Sequence, residues 1–234
     1  MTAKTVTFAV QMGSGGFELA RAVAEKLQYR YYDWEVTANA AAEAGVPPES
    51  IAAAEQYTSA FRRVVDRLLM AGAYASDEAV MVGPDAATMT SAIRALTSGD
   101  YRRLVERVVK ELGSRGEAVI VGHAGQTVLG PEPGVLKVLV TGSPALRAAR
   151  VASEAGVAAD EATKLVRQSD DERLAFFRDV YRVNLRDASL YDLTLNTDRL
   201  SPEFCVDAII QAAHGVAGII EEPPPAADAV TLRS

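Results

Sequence analysis

The stretch Thr5-Val6-Thr7-Phe8-Ala9-Val10-Gln11-Met12-Gly13-Ser14-Gly15-Gly16-Phe17 decides how this chain is read. The β-branched and aromatic run at 5–10 suits a buried strand, and the three glycines over 13–16 admit a tight turn. From Phe17 to Leu27, Ala20, Val23, Ala24 and Leu27 recur at helical spacing. A strand, a glycine loop and a helix N-terminus in that order bring backbone N–H groups together with the positive end of a helix dipole, an arrangement that holds phosphate or another anion. The competing reading is a glycine turn that packs the helix against the sheet, and a short glycine motif does not separate the two.

The loop departs from the full nucleotide pattern G-x-x-x-x-G-K-[ST], whose Lys reaches the β/γ-phosphates and whose hydroxyl holds magnesium. With Gly15 as the second glycine, the first falls on Val10, the Lys on Gly16 and the hydroxyl on Phe17, or on Glu18 with a one-residue allowance. Gly13, Ser14, Gly15 and Gly16 are therefore candidate phosphate-binding residues through backbone geometry. The cation and the metal-binding hydroxyl come from elsewhere or are absent.

A length of 234 residues, 49% hydrophobic and 24% charged, suits one α/β domain with an added lid or subdomain, or two small domains. A net charge of −7 argues against an extended nucleic-acid surface and confines anion binding to a local site. The single cysteine, Cys205, excludes an intramolecular disulfide, fits a reducing compartment and lies in the helical core pattern Phe204, Cys205, Ala208, Ile209. Two histidines without clustered thiols argue against zinc. No apolar run reaches the ~18 residues of a membrane span, and the N-terminus has no long apolar signal region, so the expectation is a cytoplasmic protein.

Further along, Tyr29 to Asp33 reads as a short aromatic strand and Trp34 to Ala44 as a helix closed by Gly45. Asp33 thus stands at a strand's C-terminal edge, where open α/β sheets bind ligands, and is equally placed to cap the next helix. Val46-Pro47-Pro48 opens another helix, and Ser50 to Ala75 carries Arg62, Arg63 and Arg67 on a face either solvated or turned to a phosphate. Residues 76–99 are poorly periodic and read as a mobile connection. Tyr101 to Leu112 is an amphipathic helix, Ala118 to Val121 a buried strand ending in Gly122-His123-Ala124-Gly125, Val135 to Thr141 another strand and Pro144 to Ala155 its crossover helix. This alternation implies a parallel sheet. Residues 159–187 form a charged helical stretch in which Arg178, Arg182 and Arg186 share a face if the helix is continuous. That face is either a phosphate-closing lid or a salt-bridged exposed hairpin. Leu190 to Asn196 is a last strand, Pro202 to His214 a last helix capped by Ser201, and 221–234 a disordered tail.

Five separated segments resemble the cytidylate-kinase-like P-loop proteins related to bacterial CMP kinase. They are Gly13-Ser14-Gly15-Gly16 after a strand; Tyr31-Tyr32-Asp33; Val119-Ile120-Val121-Gly122-His123-Ala124; Asp171-Glu172-Arg173 with Phe176-Phe177-Arg178; and Ser189-Leu190-Tyr191-Asp192-Leu193 running into Asn196-Thr197 and Leu200-Ser201-Pro202. The resemblance implies a three-layer P-loop NTPase-like α/β fold, a parallel sheet flanked by helices in one domain over 1–220. A helical acceptor-binding segment would lie within 46–100 and an arginine-bearing helical lid at 159–187. It implies that Gly13 to Gly16 cradle the donor phosphates and that Asp33, Arg62 and His123 lie near the acceptor. Arg173, Arg178 and Arg182 would be catalytic, closing over the transferring group, with ATP and Mg2+ as donor. Relatives commonly carry Arg where His123 and Phe17 stand, and His is largely neutral at pH 7.

Two function classes follow. One is a kinase that moves the γ-phosphoryl of ATP to a nucleoside monophosphate, CMP-like, or to another small hydroxyl-bearing acceptor. The other is a non-catalytic nucleotide-sensing or regulatory protein on a degenerate kinase fold. The partner in both is a nucleotide or small phosphorylated ligand; the oligomeric state stays open, a homo-oligomer included.

Overall fold

β1 (Thr5–Val10) lies at the centre of a five-stranded sheet of order β2-β3-β1-β4-β5. The computed structural model describes residues 2–33, 98–130 and 132–216. The other strands are β2 (Arg30–Tyr32), β3 (Ala118–Val121), β4 (Val135–Thr141) and β5 (Leu193–Asn196), and every pairing is parallel. Phe8 is paired with Val121 on one side and Val138 on the other, which brings the C-terminal ends of β1, β3 and β4 to one edge of the sheet.

Alternation along β1 builds the two outer layers. Val6 and Phe8 face α1 (Gly16–Leu27) and α6 (Pro202–Gly215), in a core with Leu19, Val23, Val138, Cys205 and Ile209. Thr5 and Thr7 face the other layer: the Thr5 hydroxyl donates to Gly113 O at 3.2 Å in α2 (Ser98–Arg115), and Thr7 packs on Gly125 of the short α3 (Gly125–Val128). Beyond β4, α4 (Pro144–Ala155) and α5 (Ala159–Phe176) pack on each other through Ala148, Val151, Ala162, Leu165 and Val166, with Met12 of the glycine loop in the same cluster. The parallel sheet and flanking helices match the expectation, as does the Ser201 cap, whose hydroxyl accepts from Phe204 N at 3.2 Å.

Two expectations are corrected. The helix over 159–187 is not continuous: α5 stops at Phe176, a π-helical turn spans Phe177–Tyr181, and Arg182 closes it with a left-handed φ of 59°. The chain turns because Phe177 and Leu185 are buried together against Ala124, an enclosure that a straight helix would forgo. Arg178, Arg182 and Arg186 therefore do not share a helix face. The last strand begins at Leu193 because Ala188–Leu190 form a 3₁₀ turn, capped by the Asp187 carboxylate accepting from Ser189 N at 2.9 Å. The expected helix at 34–44, Arg62, all but the last three residues of the 46–100 segment, and the 221–234 tail lie outside the described residues.

Phe8 is completely enclosed at the middle of the sheet. Phe8→Ala is expected to cost about 3–5 kcal/mol, lost contacts plus a residual cavity, measured by urea unfolding. A cost below about 1 kcal/mol would place the stabilising core elsewhere.

Candidate functional site

The glycine loop leaves β1 between Gln11 and Gly15 with two left-handed residues, Gly13 at φ +72° and Gly15 at φ +71°. Its glycines divide by role. A Cβ on Gly13 would stand 2.4 Å from the main-chain oxygen of Arg147, and one on Gly16 would stand 2.7 Å from the Val10 methyls. Those two glycines answer to packing. Among the described residues a Cβ on Gly15 would meet nothing within 4 Å, so this flank is open to them, at the N-terminus of a twelve-residue helix that none of their side chains caps. Ser14 is buried, its N–H donates to Gln11 O at 3.0 Å, and its hydroxyl oxygen meets no hydrogen-bond partner among the described residues. An orphaned hydroxyl beside an open helix N-terminus suits an anionic oxygen.

Three guanidinium groups hold main-chain oxygens of the loop and of the strand end before it. Arg173 of α5 donates to Val10 O, Arg147 of α4 donates through Nη1 to Met12 O at 3.1 Å, and Arg150 donates through Nη1 to Gly13 O at 3.2 Å. Arg150 also bonds the Thr197 hydroxyl at 2.8 Å and the Thr197 carbonyl at 2.6 Å, and that hydroxyl in turn donates to Ser14 O at 2.9 Å. Burial pushes the Arg173 guanidinium below its ordinary pKa, but Arg stays protonated in proteins. Sequence reasoning missed Arg147 and Arg150. For Arg147 there was a signal: it falls in the stripe Ala148, Val151, Ala155 that α4 turns inward, where an arginine must be paired.

The predicted catalytic arginines separate. Arg173 belongs to the loop. Arg178 is exposed and paired with Asp179, Nε to Oδ1 2.8 Å, while Arg182 is exposed at the end of the π turn. With Arg186 and Asn184, Arg178 and Arg182 line a groove of about 470 Å³ whose walls do not include Arg173.

Asp33 and His123 do come together at the edge of the sheet. Asp33 is buried, with Arg21 Nη2 3.7 Å from its carboxylate and the Arg21 guanidinium lying 5.3 Å from the centre of the Tyr31 ring. The His123 side chain hydrogen-bonds the Asp33 main chain, and burial pushes its pKa down, which keeps it neutral. The Tyr31 hydroxyl is pushed up, chiefly by burial and then by the Asp33 charge. His123 and Ala124 follow Gly122 in three successive left-handed conformations, φ +81°, +50° and +54°, backbone strain of the kind that clusters at functional sites. Arg21, Glu25, Gln28, Tyr31 and Asp33 line a groove of about 540 Å³ between α1 and β2. The loop thus has the chemistry of an anion site: a helix N-terminus and a Ser14 hydroxyl without a hydrogen-bond partner among the described residues. It offers magnesium little: Phe17 takes the hydroxyl position, and no three His, Cys, Asp or Glu cluster to hold an ion among the described residues.

Comparison with known proteins gives the class. The model of the cytidylate kinase-like family matches residues 5–199, and the chain belongs to that family. It is 30% identical over 107 residues to a cytidylate kinase of Methanopyrus kandleri, covering 42% of this chain and 55% of that protein. It is 33% identical over 112 residues to a cytidylate kinase of Pyrococcus horikoshii, covering 47% of this chain and 56% of that one. The chain therefore spans little more than half of these curated relatives. Among solved structures, an uncharacterized protein from Eubacterium ventriosum aligns over 90% of this chain and 98% of its own with a TM-score of 0.58 at 15% identity, a likeness of fold. The P-loop-like α/β architecture is thereby established, and no described helix is long and apolar enough to cross a membrane.

Gly13→Ala is expected to destabilise the fold by several kcal/mol, since its Cβ meets main chain at a left-handed φ. Gly15→Ala is expected to cost only the left-handed penalty of about 1–2 kcal/mol. Equal costs in thermal unfolding would refute the division of roles.

His123 also gives a pH signature. Its folded pKa lies below the ordinary 6.5, so its contribution is intact above 6.5 and is lost as pH falls below it, because the unfolded chain takes the proton more readily. In His123→Gln, the loss of stability between about pH 6.5 and 5 is expected to flatten. An unchanged slope in the variant would assign it to carboxylates instead.

Proposed function

We propose that this chain binds ATP through Gly13, Ser14, Gly15 and Gly16 and transfers the γ-phosphoryl to a nucleoside monophosphate, or to another small hydroxyl-bearing acceptor seated beside Asp33. The observation that carries the proposal is the orphaned Ser14 hydroxyl beside the open flank of Gly15, at the start of α1. The family and the curated cytidylate kinases support it. The acceptor oxygen attacks the γ-phosphorus, the bond from that phosphorus to the bridging oxygen breaks, and ADP departs. The acceptor's proton, where it has one to lose, passes toward Asp33. Loop amides and the Ser14 hydroxyl hold donor oxygens, while Arg178 and Arg182 supply positive charge to the equatorial oxygens as negative charge spreads there. Magnesium, when bound with ATP, neutralises phosphate charge.

The competing sensor reading has its own support: a neutral His123 where relatives place Arg, no lysine in the loop, and an Arg173 engaged with Val10 O. Kinetics separates the two, because a transition-state group lowers turnover more than it weakens ground-state binding.

In a coupled assay with Mg-ATP and a panel of nucleoside monophosphates and small alcohols, turnover is expected, and Arg178→Ala and Arg182→Ala are each expected to lower kcat by up to about 10³-fold with smaller losses in ATP affinity. ATP binding by calorimetry with no turnover against any acceptor selects the sensor. His123→Arg is expected to tighten nucleotide binding through a charge-assisted hydrogen bond, measured in the same calorimetry; equal or weaker affinity gives His123 a packing role.

A further inference from the structure

Among the described residues, Arg147 is the largest fully buried side chain, 1% exposed. A guanidinium so enclosed is costly unless its N–H groups find acceptors. Nε donates to Gly142 O at 2.9 Å, Nη1 to Met12 O at 3.1 Å, and Nη1 and Nη2 to the Asp170 carboxylate at 3.1 and 2.5 Å. One side chain therefore ties together the glycine loop, the exit of β4 and the middle of α5. It meets the loop twice, because its own main-chain oxygen occupies the space that Gly13 leaves by lacking a Cβ. Asp170 lies one helical turn before Arg173, whose guanidinium takes Val10 O. The helix carrying the arginine segment thus grips the loop at Val10 directly and at Met12 through Arg147.

We infer that the Arg147–Asp170 pair is a positioning device that fixes the loop main chain between Val10 and Gly13, so that the donors of residues 14–16 stand ready for a phosphate. The inference rests on the phosphate-binding reading above and deepens it. A loop without a lysine depends on backbone donors, and their preorganisation then carries a larger share of the affinity. Neither residue is assigned a contact with phosphate, which makes them positioning residues.

The test uses the full chain, Mg-ATP calorimetry and thermal unfolding. Arg147→Met alone strands Asp170 and the Met12 and Gly142 carbonyls, and a loss of fold there would be ambiguous. The double variant Arg147→Met/Asp170→Leu removes both charges together, a change that buried ion pairs often tolerate in stability. Arg147→Lys keeps the charge and loses the fork. The expected result is a double variant with a Tm near wild type and ATP affinity weaker by about tenfold or more, the scale of a misplaced site group, with Arg147→Lys weakened similarly. A folded double variant that binds ATP as wild type does overturns the inference and leaves the phosphate-binding reading standing. If the double variant fails to fold, a folded Arg147→Lys with wild-type affinity overturns it equally. Wild-type protein that binds no ATP overturns the phosphate-binding reading, and the inference with it.

Discussion

β1 is paired in parallel on both sides, with β3 and with β4, and every other feature of the site inherits that register. Because Val10 is level with Val140 and Phe8 with Val121, β1 and β4 end within a residue of each other and β3 ends two residues earlier, all toward one edge of the sheet. The glycine loop, the Gly122-His123-Ala124 turn and the Gly142-Ser143 corner then follow strands at that same edge, where α/β sheets receive ligands. A shift of one residue would turn Val6 and Phe8 away from α1 and α6, and would set Thr5 and Thr7 in their place. The packing of the core and the geometry of that edge are thus one constraint. The loop's conformation follows: with Gly16 pressed on Val10 and Gly13 on α4, the chain has little room to enter α1 by another route.

What the sequence made legible were features whose cause is local. The run at 5–10 is continuous because the strand is buried on both faces, and the Ser201-Pro202 start of α6 is a cap followed by a residue with no amide to satisfy. The end of α5 was not legible, since neither Pro nor Gly marks it. It ends where Phe177 and Leu185 close over Ala124, which sits more than fifty residues earlier in the chain. The first turn of the expected last strand misled for a similar reason. Tyr191 spends its hydroxyl on Leu185 O at 3.2 Å, and Asp192 accepts from Lys137 N at 2.8 Å, so an apolar run there serves a corner instead of a ladder.

The candidate site was half legible on the same grounds. Gly13 to Gly16 and Asp33 were visible as residues at strand exits. Their divided duties were not, because the clash at Gly13 involves the backbone of α4 and the freedom at Gly15 is an absence of neighbours among the described residues. Arg147 and Arg150 escaped notice because charge on a helix reads as a solvated face, a rule that fails when a guanidinium has carbonyls and a carboxylate within reach. His123 was flagged for the charge it lacks. The structure adds why it is neutral: burial lowers its pKa by more than the Asp33 main chain and charge raise it.

The missing lysine takes on a different meaning once the loop's carbonyls are considered. A backbone loop presents negative oxygen dipoles as well as positive N–H groups, and an anion is attracted only where the second outweigh the first. Here the oxygens of Val10, Met12 and Gly13 each accept from a guanidinium. Their negative ends are engaged by guanidinium groups, while a Cβ on Gly15 would meet nothing within 4 Å among the described residues. Arg147, with Asp170 at 2.5 Å, adds geometry and little net field. Positive charge is therefore present at the loop, applied through the backbone instead of by direct contact. Such an arrangement suits holding a phosphate in place. Stabilising charge that develops during transfer needs cations that reach the reacting oxygens, and of the three arginines read as catalytic, Arg178 and Arg182 are exposed while Arg173 is engaged with Val10 O.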